Sequence, residues 1–110
     1  MTILGIDPGS MSCGYGVIEC QRGIQTYVSS GRILMPVTSP LSDRLKELFI
    51  SLKDIIDEFT PKEVVIEKIF FAKGIRAALS LGHTRGVIVV AAALSGRPIF
   101  EYSALEIKKA

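Results

Sequence analysis

The apolar positions change period along the chain, from strand-like to helical and back. Thr2-Ile3-Leu4-Gly5-Ile6 is a short apolar run closed by Asp7 and the turn residues Pro8-Gly9-Ser10, which predicts a buried strand over Thr2 to Asp7. Gly14-Tyr15-Gly16-Val17-Ile18 predicts a second strand. Gln21-Arg22-Gly23 then turns the chain into a third, running from Ile24 to Met35, with Gly31 as the expected bulge. Connections this tight imply an antiparallel meander. The period then becomes helical: Leu41, Leu45, Leu48, Phe49, Leu52, Ile55, Ile56 and Phe59 share one face. Charged residues from Asp43 to Asp57 take the other, so this helix should lie on a sheet. Ser39-Pro40 reads as its cap and first helical position, and Pro61 as its stop.

Strand period returns at Glu63 to Glu67, whose near-continuous apolar middle suits a strand covered on both faces. A loop from Lys68 to Gly74 opens a second helix, about Ile75 to Ser95. Its latter half is apolar all round, with Gly82 and Gly86 on one face. Such a helix needs cover on more than one side, either deep in one core or against a second copy of the chain. A chain of 110 residues has little room for the first, so a homodimer is expected. Gly96 and Pro98 end the helix, and Ile99-Phe100-Glu101-Tyr102 is a fifth strand. Ser103-Ala104-Leu105-Glu106 has the form of a capping box. The helix it announces stops at Ala110 after about two turns, marginal on its own. The expectation is a single domain over residues 1–110, the front part of a longer one, with its final helix truncated.

Composition adds limits. With 48% hydrophobic residues the chain can bury a real core. Met1 leads straight into a strand with no basic leader, so no signal peptide is expected. The longest uninterrupted apolar stretch, Gly86 to Leu94, is about half of the roughly 20 residues a membrane span needs, so no membrane is expected. Cys13 and Cys20 have no nearby His to complete a zinc set and read as reduced thiols in a cytoplasmic protein. Net charge is only +2, yet residues 1–67 carry six Lys/Arg against nine Asp/Glu, and residues 68–110 carry seven against two. From Lys68 to Phe100 no acidic residue occurs, while Lys73, Arg76, Arg85 and Arg97 do. One-signed charge beside a carboxylate site fits a nucleic-acid surface, although a merely solvated face is the plainer alternative.

The candidate chemistry rests on two carboxylates. Asp7 and Glu67 each close an apolar strand, where an uncompensated charge costs several kcal/mol. If the two meet in space they suggest a divalent cation and chemistry on phosphates. The plainer alternatives are a turn-capping role for Asp7 and a surface role for Glu67. Of the neighbouring Phe70 and Phe71, one is expected in the core, because adjacent strand-end residues point opposite ways.

Two blocks carry a family resemblance. Ile3-Leu4-Gly5-Ile6-Asp7-Pro8-Gly9-Ser10 with Gly14-Tyr15-Gly16 resembles the opening of RuvC-type Holliday-junction resolvases. Ile66-Glu67-Lys68-Ile69-Phe70-Phe71-Ala72-Lys73, followed by Ala78 to Gly86, resembles their central block. The resemblance implies an α/β, RNase H-like fold: a mixed five-stranded sheet, three strands antiparallel and the rest parallel, with helices on both faces. It implies a dimeric, magnesium-dependent endodeoxyribonuclease that nicks four-way DNA junctions symmetrically in recombination and repair, alongside a branch-migration motor complex. Asp7 and Glu67 then fall on catalytic, metal-binding positions for two Mg2+ ions, which Mn2+ can replace. Phe70 falls on an aromatic that contacts DNA, and Lys73, Arg76 and Arg85 are the expected phosphate contacts. Further acidic residues of the family lie beyond Ala110, so this stretch alone is expected to bind metal poorly and to cut slowly or not at all. Lys68 stands where Gln is common, and His83-Thr84 where Gln-Ala is common; His83 is expected on the helix surface or an interface. Glu101 and Glu106 are poor candidates for a third ligand. Two other readings stay open: a junction-binding and dimerisation module with an incomplete metal cage, and an actin-like domain using Asp7-Pro8-Gly9-Ser10 around ATP phosphates.

Overall fold

The structure, a computed structural model, describes residues 1–9, 11–68 and 74–102. The strands and helices follow in the order β1 (Thr2–Asp7), β2 (Ser12–Gln21), β3 (Ile24–Leu34), α1 (Leu41–Phe59), β4 (Glu63–Glu67), α2 (Ile75–Leu94) and β5 (Ile99–Tyr102). The strands form one sheet in the spatial order β3-β2-β1-β4-β5. β1, β2 and β3 are the expected antiparallel meander, and β4 and β5 join β1 in parallel. Each parallel strand is reached through a helix, as a crossover requires.

One face of the sheet holds the core. Leu4 and Ile6 of β1, Cys13 and Val17 of β2, and Val64 and Ile66 of β4 all point to it. Leu48, Leu52, Ile55 and Ile56 of α1 and Ile88, Ala91 and Ala92 of α2 close over them. Both helices therefore share that face, and the expected cover on the second face lies outside the described residues. The opposite row of each strand, Gly5 and Asp7 on β1 and Val65 and Glu67 on β4, looks away from the helices.

Local details depart from the sequence expectations in two places, the start of α1 and the bulge. Pro40 is the residue before the helix rather than its first turn; its carbonyl accepts from the Arg44 N–H at 3.0 Å. At the other end Thr60 takes a left-handed conformation (φ 43°) and caps the Ile56 carbonyl, and Pro61 follows. The bulge lies opposite Val17/Ile18, where Val28 has no partner, and not at Gly31. Gly31 is required for another reason: a Cβ there would come within 2.8 Å of the Tyr15 hydroxyl, whose ring lies across it.

α2 is only partly inside. Thr84, Ile88, Ala91 and Ala92 are buried, while Ile75, Leu79, Val90 and Leu94 are exposed. Thr84 donates to the Ser80 carbonyl at 3.2 Å, which hides its hydroxyl in the core. At 20 residues α2 is long and apolar enough for a membrane span by length and composition, although its apolar residues are interrupted. One face of it packs on α1 and the sheet.

Both cysteines are free thiols. Burial, with the neighbouring Asp7 carboxylate, pushes the Cys13 thiol up to about 11, against the opposing pull of Arg32. Cys13 should therefore resist a thiolate-directed reagent at pH 8, while half-buried Cys20 reacts. Equal labelling of both thiols in the native chain, read by peptide mass spectrometry, would contradict this packing.

Candidate active site

The two carboxylates meet. β1 and β4 run parallel with Ile6 paired to Ile66, so the next residue on each strand, Asp7 and Glu67, emerges beside the other on one sheet face. Asp7 lies close enough to accept a hydrogen bond from a protonated Glu67 carboxyl and to repel its charged form. That hydrogen bond, then desolvation and the Asp7 charge, raise Glu67 above its ordinary value. A carboxyl pair that favours sharing a proton is also a good ligand for a divalent cation, which relieves the same repulsion. The local sequence explains the placement. Gly9 lets the chain fold back tightly after Asp7, since a Cβ there would run into the Ser12 carbonyl.

This coupling gives a pH dependence with a definite sign. Glu67 binds its proton more tightly in the folded chain, so that contribution to stability is full below the ordinary glutamate value of 4.5. It is lost as pH rises through the raised folded value. Glu67→Gln is therefore expected to stabilise the metal-free chain at neutral pH by about 0.2–1 kcal/mol, the scale of like charges directly opposed in a sheet. Thermal melting in EDTA should show a rise of roughly 1–8 °C that disappears at acid pH. No rise at neutral pH would mean that the two carboxylates do not repel.

The row that holds Asp7 continues across the sheet. Asp7 pairs with Gly14 of β2, and Gly14 pairs with Arg32 of β3. Glu67 pairs on its other side with Tyr102 of β5. A cation, a gap, two carboxylates and a phenol thus lie side by side. Asp7, Gly14, Tyr15, Ser30, Gly31 and Arg32 line an open cleft of about 390 Å³. Neither Arg32 nor Tyr102 stood out in the sequence, because each joins the carboxylates only through strand register.

The other expected site residues are distributed differently. Phe70 and Lys73 lie outside the described residues, as do Phe71 and the capping box at Ser103 to Glu106. Arg76 is exposed in the first turn of α2. Arg85 is mostly covered and pairs with Glu101 of β5, joining helix to sheet. Glu101 is in register with Ile66, on the helix-covered face, so it stands apart from the Asp7–Glu67 pair. His83 is on the exposed surface of α2, as expected. Among the described residues, no group of three or more His, Cys, Asp or Glu could hold a metal ion.

A family model described as Crossover junction endodeoxyribonuclease RuvC matches residues 3–110. The chain belongs to this family. The RuvC crossover junction endodeoxyribonuclease of Shewanella amazonensis is 48% identical over 108 residues, which are 98% of this chain and 62% of the relative. The chain thus spans a little under two thirds of the curated relatives it matches. The structure of Thermus thermophilus RuvC superimposes with a TM-score of 0.90 at 25% identity, covering 100% of this chain and 68% of that one. T. thermophilus RuvC in complex with a Holliday junction substrate gives a TM-score of 0.93 at 24% identity, over 99% of this chain and 70% of that one, a likeness of fold. The mixed five-stranded, RNase H-like sheet expected from the sequence is the RuvC fold.

Proposed function

We propose that this chain carries the cation-holding edge of an endonuclease that nicks four-way DNA junctions symmetrically in recombination and repair. The observation that carries the reading is the meeting of Asp7 and Glu67 at the ends of adjacent parallel strands in a RuvC-family chain. Their donor set is two hard, anionic oxygen ligands, which suits Mg2+, with Mn2+ as a substitute. When bound, such cations activate water and stabilise the leaving oxygen of a phosphodiester. The chain's own contribution is to fix the two carboxylates on rigid strands and so set where the phosphodiester must sit. Arg76, exposed at the start of α2, is assigned to the DNA backbone, with Lys73 and Phe70, which precede it in the sequence. Arg85 shares its charge with Glu101, so its reach to a phosphate requires that pair to open.

The exposed apolar side of α2 supports a homodimer. Gly82, His83, Gly86, Val87 and Val90 form a groove with Phe49 of α1, about 590 Å³ in volume, in which a second copy's helix would find apolar cover. Two copies related by a two-fold axis present two carboxylate pairs, as symmetric nicking requires. We place the protein in the cytoplasm, in reach of DNA and of a branch-migration motor complex.

A second reading, a module that binds junctions without cutting, is favoured by one observation: no third acidic group joins Asp7 and Glu67 among the described residues. Incubation with a labelled four-way junction and a linear duplex, in magnesium and in EDTA, separates the two. Paired nicks in magnesium alone support the nuclease, and junction-selective binding without nicks supports the module. Equal behaviour toward junction and duplex would overturn both.

A further inference from the structure

Arg32 is an exposed residue placed near the carboxylate edge by strand register. It sits on edge strand β3, two strands away from Asp7, with only Gly14 between them. A Cβ built on Gly14 would lie 3.4 Å from Arg32 Nη1 and 3.7 Å from Asp7 Cβ, so a single methyl would fill the gap between guanidinium and carboxylate side chain. The Arg32 head therefore lies over β2, within a methyl's width of the Asp7 side chain.

The guanidinium is also held in one orientation. Its Nε donates to Ser12 Oγ at 3.3 Å and its Nη2 to the same oxygen at 3.0 Å. That two-point grip fixes the plane of the fork and leaves Nη1 on the side of Gly14 and the cleft. Among the described residues Arg32 forms no ion pair with Asp7 or Glu67. A cation fixed beside two carboxylates without closing onto either has free donors for a third, anionic group. The open cleft of about 390 Å³ that Arg32 and Asp7 both line has room for a phosphate.

We propose that Arg32 binds a DNA phosphate in this cleft, next to the Asp7–Glu67 pair, and so seats the strand to be cut. The inference rests on the nuclease reading of the site and deepens it. A phosphodiester has two non-bridging oxygens. With one directed toward the Asp7–Glu67 edge, the other would be offered to the far side, where the Arg32 fork stands. A planar fork of N–H donors matches phosphate better than the point charge of a lysine. Ser30, beside Arg32 on the cleft wall, adds a hydroxyl within the same lining.

The test is binding of a labelled four-way junction in Ca2+, with fluorescence anisotropy followed across a salt series. Arg32→Ala is expected to weaken binding about 10-fold. It should also flatten the plot of log affinity against log salt by about one, the signature of one lost phosphate contact. Arg32→Gln, which can still donate to Ser12 but carries no charge, should give the same change of slope. Arg32→Lys should keep the slope and recover part of the affinity. Equal thermal midpoints would show that the variants fold. If Arg32 only braced Ser12, Arg32→Ala would leave the salt slope unchanged, and that result overturns the proposal. Wild-type chain that binds the junction normally, with Arg32→Ala and Arg32→Gln both indistinguishable from it, sinks the assignment of Arg32 alone. Wild-type chain with no affinity for the junction sinks the nuclease reading and the assignment together.

Discussion

Asp7→Asn is expected to lower whatever magnesium-dependent junction nicking the chain supports by at least about 10³-fold, while junction binding in Ca2+ survives. The substitution keeps the shape of the side chain and removes one of the two carboxylates that meet at the sheet edge. Cation-assisted phosphodiester cleavage draws several kcal/mol from charge stabilisation at such ligands, and each 1.36 kcal/mol is tenfold in rate. The usual objection, that a dead variant has simply unfolded, runs the wrong way here. Without Asp7's charge, Glu67 loses its repulsive neighbour, so the metal-free variant should melt no lower than the parent. Loss of nicking with an equal or higher Tm in EDTA would therefore assign Asp7 to the chemistry. Nicking at the parental rate would remove Asp7 from the site and with it the reading of the carboxylate pair.

Leu4→Ala should have the largest effect on stability. Leu4 is 0% exposed, on the middle strand of the sheet, with Val17 and Val64 as its cross-strand partners and the helices above. Truncating a fully buried leucine costs about 2–5 kcal/mol, through lost transfer energy and the cavity left behind. Domains of this size are stable by about 5–15 kcal/mol, so the variant should keep a folded state with a much lower urea midpoint. Denaturation followed by circular dichroism gives the difference directly. A loss under about 1 kcal/mol would mean that the sheet and helices collapse around the gap, and that the core is looser than its burial shows.

Much of this was legible in the sequence wherever punctuation was strong. β1, β4 and β5 begin and end where apolar runs meet Pro8-Gly9, Pro61, and Gly96 with Pro98. The carboxylate pair was legible for the same reason, since both acids close buried strands. Two kinds of feature were not. Gly31 advertised a bulge, but a glycine serves equally well under an aromatic ring, and the ring of Tyr15 is what it accommodates. Arg32 sits in a polar stretch of β3 and shows no pattern of its own. Its place beside Asp7 depends on two successive strand registers and on the actual position of the bulge, which no local period encodes. Arg85 read as one of a run of basic residues, and only the fold brings Glu101 to it.

The parallel pairing of β1 with β4 has a consequence for how the site comes into being. The β1–β2–β3 meander joins neighbours in the chain and closes through short loops, whereas β4 must first return across α1, sixty positions after Asp7. Contacts at such separation carry the larger loop-closure entropy and form late. A ribosome-bound or partly refolded chain can therefore own a complete hairpin sheet with a solitary Asp7 and no carboxylate pair. The two carboxylates come together only with the last parallel strands, so under the proposed reading a half-made chain would have nowhere to hold a cation.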